Sequence, residues 1–268
     1  RTSMRIPRHD LVTMVEFMEP GFSTWNFIVC SFIIIGLVAL ASRYRILDKS
    51  GVMAAVVLAC VVGFLGHWSW LLVLLSFLIA SHKATKWRFE EKTAMGLNES
   101  GDGHRSWTNV IANGGLPGLV VILAFLEGDW ENGVWLFTAS VAVAASDTFA
   151  SEIGCMDKRV RMITTFKKCE PGINGGFSPN GQLAAALGAF TMGMMALVLY
   201  WLPSGHFVGD GFTYAMIAAL IGWIGCQIDS LLGALLENRG FMTKGTVNAA
   251  SITIGVILMY FILDLSWY

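Results

Sequence analysis

Residues 132–154 read NGVWLFTASVAVAASDTFASEIG, an apolar run that carries Ser146, Asp147, Ser151 and Glu152 into its final turns. A helix crosses a bilayer with about 20 apolar residues, range roughly 17–25. Placing an aspartate at the centre of such a helix costs about 2.5–3.5 kcal/mol on insertion scales. The chain makes the same placement repeatedly: Asn109, Asn113, Asp229, Glu237 and Asn248 also lie in or beside apolar runs. A soluble domain has no reason to be built this way. Polar groups gathered at one end of membrane spans point to a site there, in an enzyme or a transporter.

Composition agrees. The 268 residues are 55% hydrophobic and 14% charged, with mean hydropathy +0.62, whereas soluble domains carry about 25% charged residues. Ten Trp and seventeen Phe suit a membrane protein, whose interfaces favour aromatic rings. Cys30, Cys60, Cys155, Cys169 and Cys226 form no CxxC pair, so neither a disulfide framework nor a zinc site is supported. His9, His67, His82, His104 and His206 are scattered and read as interfacial or structural. No signal peptide is visible, and Arg1-Thr2-Ser3 before Met4 reads as a cloning remnant and is set aside.

Reading for span length gives eight segments: 25–42, 51–66, 68–82, 107–126, 132–150, 180–201, 211–236 and 245–263. The expected fold is therefore an all-α integral membrane protein, a polytopic bundle of about eight transmembrane helices. Residues 1–24 form an N-terminal segment, 25–268 one transmembrane catalytic domain, and 105–250 its site region. The second and third segments, split by Gly66-His67-Trp68, read as a tight hairpin or a partly re-entrant pair. Fifteen of the eighteen Lys and Arg fall in the loops of one face; Arg1, Arg5 and Arg8 are the others. The positive-inside rule makes that face cytoplasmic, and every polar group named above lies in the same half.

Four clusters could carry chemistry. Asp147 and Ser151, at i and i+4, share a helical face beside Glu152. Magnesium takes one or two carboxylates and completes its shell with substrate phosphate and water, so Asp147, Asp229 and Glu152 are the candidate metal ligands. The stretch Gln227-Ile228-Asp229-Ser230 repeats the acid-then-hydroxyl pattern of Asp147 at the end of another span. Between them the loop TTFKKCEPGINGGFSPNG (164–181) leads into the sixth span. Its Lys167, Lys168, Asn174, Gly175, Gly176, Ser178 and Asn180 read as an anion-binding loop before a helix N-terminus, although no GxxxxGK[ST] is present. Finally, RSWTNVIANGGLPG (105–118) sets Arg105, Asn109 and Asn113 on one stripe. Its Gly114-Gly115 and Pro117 are expected to kink or break the helix, and the stripe is expected to hold a lipid phosphate. The mixed charges of Lys83 to Glu91 read as a solvated extension.

These blocks (RSWTNVIANGG, ASDTFASEIG, ITTFKK with GINGGFSPNG, IDSLLGA and TVN) resemble, in order, those of the membrane family containing plant phytyl-phosphate kinase and animal transmembrane protein 19. The likeness runs from about Arg105 to Asn248. It implies a polytopic enzyme moving a phosphoryl group from CTP or ATP to an isoprenoid monophosphate. Asp147, Lys167, Gly175, Gly176, Asp229 and Asn248 are the matching positions. This chain has GINGG where GTxGG is expected of relatives, so Ile173 stands in place of a hydroxyl.

The leading reading is thus a polyprenyl-phosphate kinase. Asp147 and Asp229 hold magnesium, Lys167 with the glycine loop and Asn248 attends the nucleotide, and Arg105, Asn109 and Asn113 hold the prenyl phosphate. Membrane lipids surround it, no nucleic acid is expected, and the oligomeric state stays open. A cytidylyltransferase acting on a lipid phosphate would use the same groups. A transporter or flippase for an anionic lipid or metabolite is the third reading.

Overall fold

The computed structural model describes residues 17–97, 105–205 and 208–265. The N-terminal arginines and His9, His104 and His206 lie outside them. The helices are α1 (Thr24–Tyr44), α2 (Lys49–Cys60, continued as a π-helical turn over Val61–Gly66), α3 (Trp68–Lys86), the short α4 (Phe89–Ala94), α5 (Trp107–Glu127) and α6 (Trp130–Gly154). After the two-residue strands β1 (Arg161–Met162) and β2 (Gly176–Phe177) come α7 (Pro179–Ala196, π-helical over Leu197–Trp201), α8 (Val208–Leu232, π-helical over Gly233–Glu237) and α9 (Lys244–Leu265). Among the described residues, eight helices are long and apolar enough to cross a membrane, all but α4. The protein is a multi-pass helical membrane protein. Among the described residues the one sheet is the antiparallel pair β1–β2 in the loop between α6 and α7, with Arg161 opposite Phe177.

α6 is the axis. Of its span window 78% is buried, the highest share of the eight, and it packs against α3, α5, α7, α8 and α9. Lipid tails are as apolar as leucine, so close backbone approach rather than the hydrophobic effect drives such packing. Small residues make it feasible here. A Cβ on Gly222 of α8 would stand 2.7 Å from the Ala142 Cβ of α6 and 2.8 Å from the Ala189 Cβ of α7. A Cβ on Gly181 would stand 3.2 Å from the Cα of Gly154, where α7 begins against the end of α6.

Two expectations are narrowed. The second and third spans are 18 and 19 residues long, with His67 alone between them. At ~1.5 Å per residue, 18 residues reach about 27 Å, close to the ~30 Å hydrocarbon core, so they form a spanning hairpin and not a re-entrant pair. Asn26 holds the turn. Buried in α1, it donates to Gly21 O at 2.7 Å and Gly63 O at 2.8 Å, and accepts from Trp68 N–H at 2.7 Å. It thereby occupies backbone groups that the π turn and the helix start leave without helical partners.

The second concerns α5, expected to kink or break: it is one helix through Gly114, Gly115 and Pro117, without a break. Proline lacks the N–H that would bond the carbonyl four residues earlier, here that of Asn113. That residue borders a polar cavity, not lipid, so the helix need not break. The glycines serve packing instead: the Leu58 side chain of α2 lies where Cβ atoms on Gly114 and Gly118 would sit, at 2.3 Å and 2.8 Å.

Asn26→Leu is predicted to destabilise the protein markedly. Each buried backbone group left without a partner costs about 1–3 kcal/mol, and this substitution orphans several. Thermal unfolding in detergent should register a lower midpoint, whereas Gly36→Ala, whose Cβ meets nothing within 4 Å, should leave it unchanged or raised.

Candidate functional site

At the end of the bundle where the basic loops lie, α6 and α8 bring Asp147 and Asp229 into hydrogen-bonding contact. Both face a cavity of about 580 Å³, lined also by Ser151, the loop Pro171–Ser178, Ser230, Gly233, Glu237 and Lys244. Two carboxylates in contact at a half-buried position repel unless a proton or cation lies between them. Asp229 is further held by the Ser251 hydroxyl of α9, which donates to its Oδ2 at 3.0 Å. The Asn248 amide lies between Asn113 and Asp229. With its nitrogen turned to the carboxylate, it donates to Asp229 Oδ2 at 3.3 Å and to Lys244 O at 3.0 Å.

The glycine loop forms one wall because it docks on the end of α8. Gly175 has φ +83°, and a Cβ there would stand 2.4 Å from the Ala234 Cβ and 2.9 Å from Ser230 O, so both conformation and space demand glycine. Asn238 in the turn after α8 donates to Asn174 O at 3.0 Å. The π turn of α8 starts at Gly233, directly opposite Asn174 and Gly175. Not every backbone donor of the loop is turned to the cavity: Gly176 N–H closes a turn on Ile173 O at 2.9 Å.

A second cavity, of about 190 Å³, lies on the other side of Asp147. Arg105, Asn109 and Asn113 of the α5 end line it with Thr85, Glu152 and Asn248. Asp147, Ser151 and Lys244 belong to both cavities and form the wall between them.

Several residues read as site groups turn out to lie elsewhere. Lys167 and Lys168 are exposed and line neither cavity. The chain reverses at Phe166 (φ +57°), whose N–H bonds Met162 O at 2.8 Å, and this turn carries both lysines outward. The lysine at the aspartates is Lys244. Asn180 is exposed and forms part of a clasp: its N–H donates to Asp157 Oδ2 at 3.2 Å and its Oδ1 accepts from Arg159. Ser178 does line the larger cavity, but its hydroxyl is engaged in capping α7, accepting from Gly181 N–H at 3.2 Å while donating to Gly154 O at 3.3 Å. Asn248 borders the second cavity, not the loop-lined one.

Glu152 is committed to a partner. Its Oε2 accepts from Lys92 at 2.6 Å and its Oε1 from Thr85 at 2.6 Å. Lys92 is fully buried and also donates to Ala84 O and Thr85 O, buried carbonyls at the end of α3. Arg105 reaches Thr85 Oγ1 at 3.5 Å, so the chain Lys92–Glu152–Thr85 backs the arginine of the second cavity. Among the described residues no group of three or more His, Cys, Asp or Glu could enclose a metal; the pair Asp147 and Asp229 is what a magnesium–phosphate complex would use.

Lys244, Ser251, Thr85 and Lys92 escaped the sequence reading. Only Lys244 left a signal. It is the first residue of α9, whose first turn holds no acid, and a cation at a helix N-terminus opposes the macrodipole. Such a placement makes sense beside the carboxylates it faces.

Residues 32–261 match the model of the family described as integral membrane protein DUF92. The chain is 33% identical over 227 residues to "Uncharacterized membrane protein MJ0933" of Methanocaldococcus jannaschii, covering 84% of this chain and 90% of that one. It is 30% identical to "Protein PGR" of Arabidopsis thaliana, over 80% of each chain. It is 27% identical to "Protein VTE6, chloroplastic" of Arabidopsis thaliana, over 91% of this chain and 73% of that one. No solved structure matches significantly.

Two outcomes follow from the ion pairs. Lys92→Met is predicted to destabilise by about 3–5 kcal/mol, because it strands the Glu152 carboxylate, whereas Lys167→Met should leave the unfolding midpoint within error. The Arg159 hydrogen bond draws the Asp157 carboxyl down to about 2, with the backbone N–H groups of Arg159 and Asn180 assisting. A folded-state value below the ordinary 3.8 stabilises above that pH and is lost as pH falls through 2. Protection of the amides in residues 157–181, taken relative to their intrinsic exchange at each pH, should therefore fall between about pH 4 and pH 2 in the wild type, and Asp157→Asn should already show low protection at pH 6.

Proposed function

The chain belongs to the DUF92 family of integral membrane proteins, and on that premise we propose that it transfers a phosphoryl group from a nucleoside triphosphate, CTP or ATP, to an isoprenoid monophosphate. The observation that carries this reading is the shared wall: two cavities of about 580 Å³ and 190 Å³ meet at Asp147, Ser151 and Lys244. A one-substrate hydrolase or binding protein needs no second polar cavity across its acids. The resemblance to the family containing plant phytyl-phosphate kinase supports the same chemistry.

The larger cavity falls within the roughly 300–1,000 Å³ range of small-molecule sites and takes the nucleotide against the glycine loop. The smaller one takes the lipid phosphate against Arg105, Asn109 and Asn113. Asp147 and Asp229 are suited to hold magnesium, which when bound would offset the charge of the donor phosphates. Lys244 stands between the two substrates, where charge develops on the transferring group. An oxygen of the acceptor phosphate attacks the γ-phosphorus, the bond to the β-phosphate oxygen breaks, and a nucleoside diphosphate leaves with the electron pair. The acceptor is already anionic, so no general base is required, and catalysis consists of positioning and charge stabilisation. Ser251 and Asn248 orient Asp229, and the Lys92–Glu152–Thr85 chain steadies Arg105. By the positive-inside rule this end faces the cytoplasm or the equivalent compartment.

A transport reading draws on a groove of about 670 Å³ at the opposite end, lined by Glu127, Asp129 and Asp264. Three carboxylates there would repel an anionic cargo, which favours the enzyme.

Incubation with magnesium, a prenyl monophosphate and nucleotide labelled at either the α- or the γ-phosphate decides among the readings. Gamma label in an extracted prenyl diphosphate is the expected result. Alpha label in the lipid would mean a cytidylyltransferase or adenylyl counterpart, and bound substrates without label would mean transport. Asp229→Asn should abolish transfer with membrane insertion intact, and Lys244→Met should lower kcat roughly 10²-fold or more, the scale of losing one transition-state donor. Lys167→Met should retain nearly full activity.

A further inference from the structure

A third cavity adjoins the second. It is small, about 50 Å³, and almost wholly apolar, lying between α1, α2, α3 and α5 with Leu58, Ala59, Leu74, Phe77 and Leu78 in its wall. Its rim is formed by Arg105, Asn109 and Asn113, the same three residues that line the lipid-phosphate side of the second cavity. A cation and two amides thus stand at the junction of a polar space and an apolar one. That sequence of environments matches a molecule with an anionic head joined directly to a hydrocarbon.

We infer that this apolar cavity receives the carbons next to the phosphate of a lipid monophosphate, so that selection acts on the head-proximal part of the tail and little on its total length. The inference rests on the lipid-phosphate reading of the second cavity. Its size sets the limit. By the same measure one water needs about 10–15 Å³, so 50 Å³ admits a few carbons but not a tail of several isoprene units. The rest of a long tail must lie in the bilayer, where its length makes no further protein contact. The inner surface also explains the shape sensitivity expected. Leu58 lies across Gly114 and Gly118, with its Cδ2 and Cδ1 at 2.3 Å and 2.8 Å from where their Cβ atoms would be, so the α2–α5 side of the cavity has no slack. The α3 side, where Leu78 is half-buried, is the side that side-chain size can alter.

The test uses the full chain in lipid nanodiscs and two photoreactive C20 prenyl monophosphates, one with a diazirine on the first isoprene unit and one with it on the last. The first probe should label peptides of α2 and α3 that contain Leu58, Leu74 or Leu78, in a manner competed by unlabelled prenyl monophosphate but not by a prenyl alcohol. The second should label lipid or lipid-facing residues. Labelling of the cavity by the last unit, or uncompeted labelling by the first, would overturn the inference. In steady-state assays Leu78→Trp should raise the KM for prenyl monophosphates of every length at least tenfold while leaving the nucleotide KM unchanged; a loss confined to the longest tails would overturn it. Crosslinking requires no turnover. Competed labelling without phosphoryl transfer would therefore keep the tail site and sink the kinase reading, and transfer without cavity labelling would do the reverse.

Discussion

Asp147 and Asp229 meet between two membrane helices, and that contact governs much of the rest. Like charges at a half-buried position are tolerated only when neighbouring groups and a cation or proton compensate them. The compensation comes from three residues of α9: Ser251, Asn248 and Lys244. Bringing α6 and α8 close enough for the contact requires small residues along their shared face. Gly222 against Ala142 and Gly225 against Val143 supply them, and Gly255 of α9 meets the same Val143. The buried axis helix is thus a consequence of the site as much as a scaffold for it.

The two ends of the bundle solve the membrane's backbone constraint differently. At the far end the α2–α3 turn leaves carbonyl and N–H groups without helical partners, and one buried asparagine, Asn26, gathers them. At the site end the unpartnered groups face cavities. Pro117 releases the Asn113 carbonyl beside the second cavity, and the π turn at Gly233 makes room for the loop at Asn174 and Gly175. Irregular backbone sits where protein or a polar space can receive it. The same economy explains Lys92. An ammonium buried in a helix-end pocket is stable because two carbonyls and the Glu152 carboxylate surround it, and in return it fixes the segment that supports Arg105.

The clusters legible in the sequence were those whose members are near in the chain or forced apart from lipid. Asp147 with Ser151, Arg105 with Asn109 and Asn113, and the Gly175 turn follow from helical spacing, from backbone conformation and from the penalty on polar groups in a span. Loop residues were read less well. Lys167 and Lys168 looked right by charge and by their place before the glycines, yet the tight reversal at Phe166 turns them outward. Lys92 directly follows the mixed-charge stretch Lys83 to Glu91 that read as solvated, and only packing made it the most deeply buried cation described.

Eight spans, their order, the clustering of polar groups at one end and the membrane family were determined by the sequence alone, because each depends on hydrophobicity and local spacing that no packing can reverse. The tertiary structure decided that Asp147 and Asp229 touch, that one wall of Asp147, Ser151 and Lys244 divides two cavities, and that Lys244 rather than Lys167 attends them. Those facts depend on which helices neighbour one another and how each is rotated. Within a bilayer, where apolar faces are nearly equivalent, rotation is set by close fits among glycines, alanines and buried hydrogen bonds from distant parts of the chain.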